Sequence, residues 1–398
     1  MFSCNRGVDT SDDIIPVIDV AGAVNTERIA KLSEIAESIE YIPLETNEKS
    51  FLPGIGKNFI YEDSVFFIGR KLELLMFDLN GNYTGTINRL GRGPGEYLTM
   101  NPQVLGSDKR VLISTMGKIM EYDREGNFIC SHSLPENSKI QAFSTVYKID
   151  NNCYVFTASG VNKGNIVAIV ADSSGNIKNE ILPPLNLREY EKTVGFKNDF
   201  AIGVWMGTFY RYKNSLRIAY FFDDYILSIN SDHSVDTVFR FNYGPYRMTP
   251  GMNDPRSIDG NFLKLYSEMY ESPGYIFMQF QMGTLTKKPR IMNRYKMNGE
   301  AADTYSVNIN CSFYDKQSGK FTFMEQPVID QIGFVDDLEG GPAIWPQYIS
   351  EDNYMISHID AATLINYAQK NKVSDKLRGI ASKLKEDDNP VLVRVKLK

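Results

Sequence analysis

The stretch Phe77-Asp78-Leu79-Asn80-Gly81-Asn82-Tyr83 sets an aspartate and a glycine–asparagine step between two runs of β-forming residues, and the chain repeats it. It returns as Tyr122-Asp123-Arg124-Glu125-Gly126-Asn127-Phe128 and as Ala171-Asp172-Ser173-Ser174-Gly175-Asn176-Ile177. A degraded copy, Tyr314-Asp315-Lys316-Gln317-Ser318-Gly319-Lys320-Phe321, follows late in the chain. Successive aspartates of the first three copies lie 45 and 49 residues apart, a spacing that belongs to propeller blades. Gly supplies φ > 0 and the Asp or Asn side chain bonds the local backbone, so each phrase is predicted to be a hairpin turn. A calcium loop is excluded for the first copy, because its twelfth position is Arg89 and its flanks are strands.

The flanks of these turns fall into β-rich units. The first covers residues 64–68, 74–77 and 83–87, and the second 110–114, 118–122 and 128–130. Residues 153–157 with 166–170 make the third, and 216–221, 225–229 and 237–241 the fourth. Residues 275–280 with 311–314 make the fifth, and 353–357 open the sixth. Six such sheets cannot each bury both faces alone, whereas radial packing covers them all. The predicted fold is therefore all-β, a six-bladed β-propeller of four-stranded antiparallel blades over residues 38–398. A short helical insertion is expected at about 360–386, with Asp360 and Ser374 as N-caps. The strand at 391–397 is expected to pair with the other end of the chain and close the ring, since an open ring leaves bare edges. Residues 1–37 read as a tether and leader, with helical spacing of Ile29, Leu32 and Ile35, and the strand at 39–44 carries Pro43, which suits an edge.

The 398 residues are 42% hydrophobic and 12% aromatic, enough for a large core, with a net charge of −6. Lys and Arg are scattered, so the basic face that nucleic acid requires is missing. No run of about 18 apolar residues is present to span a bilayer as a helix. Cys130, Cys153 and Cys311 lie in apolar runs and read as buried thiols. Without a CxxC pair, and with His132, His233 and His358 in different units, neither a metal nor a cofactor is expected. Cys4 differs: Met1-Phe2-Ser3-Cys4-Asn5 is similar to the end of a bacterial lipoprotein signal, although no apolar stretch precedes it. Lipidation at Cys4 is the expectation.

Three phrases resemble the six-bladed β-propeller lipoproteins, TolB-like or NHL-like in fold, of Bacteroides and its relatives. They are Glu40-Tyr41-Ile42-Pro43-Leu44-Glu45-Thr46, Gly91-Arg92-Gly93-Pro94-Gly95-Glu96-Tyr97 and Gly340-Gly341-Pro342-Ala343-Ile344-Trp345-Pro346. The resemblance spans most of residues 38–398. It implies an exported, lipid-anchored propeller in the periplasm or at the outer membrane or cell surface of a Gram-negative bacterium. It supplies no catalytic residues.

The 91–97 phrase lacks the GK[ST] ending and following helix of a phosphate loop. As a connection between blades, it is expected on the face where propellers bind ligands. There Arg92, Glu96 and Tyr97 either reach the channel mouth or stiffen the loop, and Gly93 is expected at φ > 0. Trp345, before the sixth blade, is either a stacking platform for sugar or peptide or a plug between blades. Trp205, near Tyr210 and Tyr212, has the same two readings. No nucleophile elbow is present, and carboxylate pairs are too numerous to choose among from sequence. The favoured function is a non-enzymatic module, expected to be monomeric, that binds a protein or carbohydrate and meets the membrane only through its lipid. A glycan-active lyase or hydrolase at the channel mouth is the alternative.

Overall fold

The computed structural model describes residues 15–56, 59–62, 64–105, 110–115, 118–133, 135, 143–158, 166–183, 207–220, 223–247, 260–266, 269–295 and 301–398. These residues form six small antiparallel sheets in a six-bladed propeller. Blade I comprises, from the axis outward, Phe59–Glu62, Val65–Arg70, Glu73–Phe77 and Tyr83–Ile87. Blade II is Asn101–Leu105, Arg110–Thr115, Lys118–Tyr122 and Phe128–Ser133, and blade III is Phe143–Asp150, Cys153–Ala158, Ala168–Ala171 and Ile177–Ile181. Blade IV is Gly207–Tyr212, Ser215–Tyr220, Tyr225–Asn230 and Val235–Asn242. In blade V the innermost position is split between Lys264–Leu265 and Tyr270–Glu271, which both pair with Tyr275–Gln281; Ile309–Asp315 and Lys320–Phe323 follow. A separate hairpin, Arg290–Tyr295 with Ala301–Val307, is inserted in this blade and was not foreseen.

The repeated turns close the outer hairpins of blades I to III as expected. Gly81, Gly126 and Gly175 have φ of 82°, 81° and 82°. In each turn the aspartate accepts from the asparagine amide nitrogen and side chain, as Asp78 does from Asn82 at 2.9 Å twice. Both carboxylate oxygens are thus used within the turn, which explains why Asp is required there.

Blade VI joins both ends of the chain. Outward from the axis it runs Tyr348–Ile349, Tyr354–Ile359, Val391–Leu397 and Ala36–Pro43. The closing pair is antiparallel, with Ile39 opposite Val395 and Pro43 opposite Val391 at the outer edge. The insertion forms two helices, α1 (Ala361–Lys370) and α2 (Asp375–Ala381). Ser374 Oγ accepts from Leu377 N at 3.0 Å, whereas the Asp360 side chain makes no cap hydrogen bond. Their buried Leu364, Ala368, Leu377 and Ala381 cover the apolar wedge between blades V and VI.

Residues 15–35 run along the propeller rather than away from it. Val17–Asp19 adds in parallel to the outer strand of blade IV, with Ile18 opposite Phe241. Bridges from Arg28 to Met324 and from Lys31 to Val335 then carry this strap past blade V into blade VI. The helical spacing at 29–35 yields only a 3-10 turn, Leu32–Glu34, because the amides of Arg28 and Leu32 donate instead to Phe323 O and Val335 O. Leu32 and Ile35 are fully buried by the neighbouring blades.

The hydrophobic core is divided among the seams. Phe67, Ile87, Tyr97 and Tyr122 fill seam I/II, Leu112 and Phe156 lie in seam II/III, and Val155 meets Ile218 in seam III/IV. Phe241 meets Phe280 in seam IV/V, Phe277 meets Val393 in seam V/VI, and Phe66 meets Leu392 in seam VI/I. Each blade is thus greasy on both faces, as radial packing demands. Most polar side chains are left for the axis and the rim, with a few buried and paired between blades, such as Glu121 with Lys148.

Candidate functional site

The innermost strands enclose an axial cavity of about 470 Å³ to which every blade contributes. Each inner strand contributes polar or aromatic residues to the lining, with neighbours such as Pro102, Val146 and Tyr210 reaching it as well. Ile60 and Glu62, Asn101 and Gln103, Thr145 and Tyr147, and Phe209 and Arg211 all line it. Tyr61, between the first two, packs instead into the VI/I seam. Blades V and VI add Tyr270, Glu271, Tyr348 and Glu351. Tyr147 and Phe209 stack at 6.3 Å between centroids with a 21° interplanar angle, forming an aromatic wall across blades III and IV.

Three carboxylates lie in this cavity in three electrostatic states. Glu271 is committed: it accepts from Arg217 Nε at 3.2 Å and from Lys316 Nζ at 2.7 Å. Glu351 is only loosely paired, at 3.8 Å from Arg211 Nη2, while Arg211 Nη1 donates to Lys148 O at 2.9 Å. Glu62, 5% exposed, accepts from the Tyr348 hydroxyl at 2.6 Å. Burial pushes its carboxyl up to about 7, outweighing the Tyr348 hydrogen bond that favours the charged form; Glu351 adds to the rise and Arg211 opposes it. Glu62 therefore exchanges a proton near neutrality. The cavity offers aromatic faces, hydrogen-bonding groups, a guanidinium and one carboxyl able to give or take a proton.

The residues singled out from sequence lie elsewhere. Tyr97 is buried in seam I/II, its hydroxyl donating to Leu72 O at 3.0 Å and its ring edge-on to Tyr122. Glu96 folds back on its own loop and accepts from Gly93 N at 2.7 Å, the stiffening role of the two considered. Arg92 is exposed on that loop. Trp345 is partly buried and stacks on Phe334 at 6.5 Å and 11° while meeting Phe277 edge-on, so it sits as a plug between blades V and VI. None of these four lines the cavity. Trp205 and Cys4 lie outside the described residues. The positive φ in the 91–97 loop belongs to Gly95, at 74°, and not to Gly93.

The sequence reading missed Glu62, Arg211, Tyr348 and Glu351. The available signal was a charge or tyrosine within or just after the short innermost strand of a blade. That signal has meaning only once the innermost strands are assigned.

The fold and the cavity define the class as a six-bladed propeller with a polar axial chamber. The chain belongs to the family DUF4934, a domain of unknown function, which matches residues 15–396. It is similar to a presumed exported protein of Bacteroides fragilis, with a TM-score of 0.68 at 15% identity, covering 97% of this chain and 100% of that one. A member of the DUF4221 family from Bacteroides vulgatus gives a TM-score of 0.49 at 12% identity, covering 91% and 97%. A virginiamycin B lyase from Staphylococcus aureus gives 0.35 at 13% identity, covering 73% and 75%, a likeness too low to bear on activity. No curated protein matches the chain. Among the described residues no helix is long and apolar enough to cross a membrane.

Proposed function

We propose that the protein is an exported, lipid-anchored binding module, a TolB-like or NHL-like propeller in its finer classification, that captures a carbohydrate or protein ligand in the axial cavity. The observation that carries this is the lining itself. Aromatic faces from Tyr147, Phe209, Tyr270 and Tyr348 alternate with Asn101, Gln103, Arg211 and Glu351. Sugars need this combination, because their C–H faces stack on rings while their hydroxyls require paired hydrogen bonds. Arg92, exposed on the loop that leads into blade II, serves in this reading as an outer contact for a ligand longer than the cavity. Export and anchoring rest on Ser3-Cys4 and on the family resemblance.

A second reading, a glycan-active lyase or hydrolase, is favoured by one observation: the Glu62 carboxyl titrates at about 7, where a general acid or base works best. Incubation with a panel of polysaccharides and their oligosaccharides, scoring retention by calorimetry and new chain ends by chromatography, separates the two. Retention without new ends, weakened by Tyr147→Ala, supports the binding module. Turnover abolished by Glu62→Gln replaces it with the enzyme. A panel neither retained nor cleaved argues against carbohydrate.

A further inference from the structure

Blade II holds a second polar centre, away from the axis and facing blade III. Glu121 pairs in register with Cys130 on the adjacent outer strand. His132, two residues further, points to the same face. Glu121 Oε1 lies 3.3 Å from His132 Nε2, and Cys130 Sγ lies 3.5 Å from the same nitrogen. The three donor atoms fall within 4.8 Å of one another. A nucleophilic relay would set thiol and carboxylate on opposite ring nitrogens. Here both converge on Nε2, which is the arrangement of a chelate.

We propose that Glu121, Cys130 and His132 form a Zn²⁺ site with one open position. Tetrahedral zinc with bonds of about 2.0 to 2.3 Å sets its donors about 3.3 to 3.6 Å apart, and the two separations from His132 Nε2, 3.3 and 3.5 Å, fall in that range. The mixed oxygen, sulfur and nitrogen set suits zinc and not magnesium or calcium, which take oxygen ligands. Cys130 and His132 are partly exposed, so an ion can reach them, while Glu121 is 1% exposed and held from behind. Arg110 bonds its Oε2, and the Tyr154 hydroxyl donates to Oε1 at 3.3 Å. Lys148 Nζ also lies 3.3 Å from Oε1, so a buried ammonium competes with the metal for that oxygen. This competition makes the site one that loads and unloads, in contrast to a permanent structural zinc. Uptake releases the Cys130 thiol proton, because thiolate is the ligand.

The test is titration of the chelator-treated protein with Co²⁺. The expected result is a thiolate-to-cobalt charge-transfer band with tetrahedral visible bands, saturating at one ion per chain and displaced by Zn²⁺. Cys130→Ser is expected to abolish the charge-transfer band, and His132→Gln to weaken binding at least tenfold. Lys148→Met, if its far-ultraviolet dichroism matches the parent, is expected to tighten binding. A folded parent protein without the band overturns the proposal. So does a band that survives in both Cys130→Ser and His132→Gln, since the ion would then be held elsewhere.

Discussion

The Tyr348 hydroxyl donates a 2.6 Å hydrogen bond to Glu62, joining the innermost strand of blade VI to that of blade I. The two residues lie 286 positions apart, and the bond crosses the seam between blade I and blade VI, the blade that holds the closing strand pair. The Glu62 carboxyl is buried there, so its protonation bears on the stability of the fold.

Folded Glu62 holds its proton up to about pH 7, whereas the unfolded chain releases it near 4.5. The stability this contributes is full below the unfolded value and is lost as pH rises through the folded one. Glu62→Gln should therefore match the parent near pH 4.5 and exceed it by up to about 3 kcal/mol above pH 7. Denaturant midpoints across that range check it, and parallel profiles for the two proteins would refute the burial of this charge.

Tyr348→Phe removes the donor that favours the charged carboxylate, so the Glu62 transition is expected to move to higher pH. The carboxyl carbon resonance of Glu62, followed by NMR titration, reads this directly. A shift to lower pH contradicts the assigned hydrogen bond.

A Cβ built on Gly95 would lie 2.7 Å from Phe128 Cγ, at a φ of 74°. Gly95→Val is expected to cost about 2 kcal/mol or more. At Gly93 the nearest atom is Glu96 Oε2 at 3.1 Å, the end of a flexible chain, so Gly93→Ala should fall within about 0.5 kcal/mol of the parent. Melting temperatures of the two variants in the reverse order would show that the loop is held differently.

Asn389, fully buried, accepts from Leu52 N at 2.7 Å and donates to Glu45 O at 2.7 Å and Ser50 O at 2.9 Å. It ties the segment before the closing strand to the chain leaving blade VI. Asn389→Ala strands these backbone groups and is expected to cost about 3 kcal/mol. Chemical denaturation measures it; a loss under about 1 kcal/mol would mean that water replaces the side chain.

The blades were legible because their turns repeat and their strands are apolar on both faces. Ring closure followed from the 391–397 strand and the proline-marked edge at Pro43. The hairpin Arg290–Tyr295 with Ala301–Val307 was not, since it follows no repeat. The docking of the strap at 15–35 is not legible in sequence, because the partners of Ile18, Leu32 and Ile35, such as Phe241 opposite Ile18, lie far along the chain. The conspicuous phrases proved to be joints. Asp336 beside the 340–346 phrase accepts from the Tyr41 hydroxyl at 2.7 Å and from Gly341 N at 2.8 Å, and Glu45 accepts from Tyr83 N at 2.8 Å. The cavity escaped notice because its lining comes in short segments from six blades that are far apart in sequence. Glu121, Cys130 and His132 lie within a single hairpin, and a C-x-H alternation facing an acid on the preceding strand was the overlooked sign.

The parallel addition of Val17–Asp19 to blade IV has a mechanical consequence. Tension drawn along the backbone upstream of Val17 loads those short-strand bonds lengthwise, in shear, and reaches the rest of the molecule through blade IV. The Ala36–Pro43 strand in blade VI, which would unzip easily if peeled, is shielded from that load by the intervening strap.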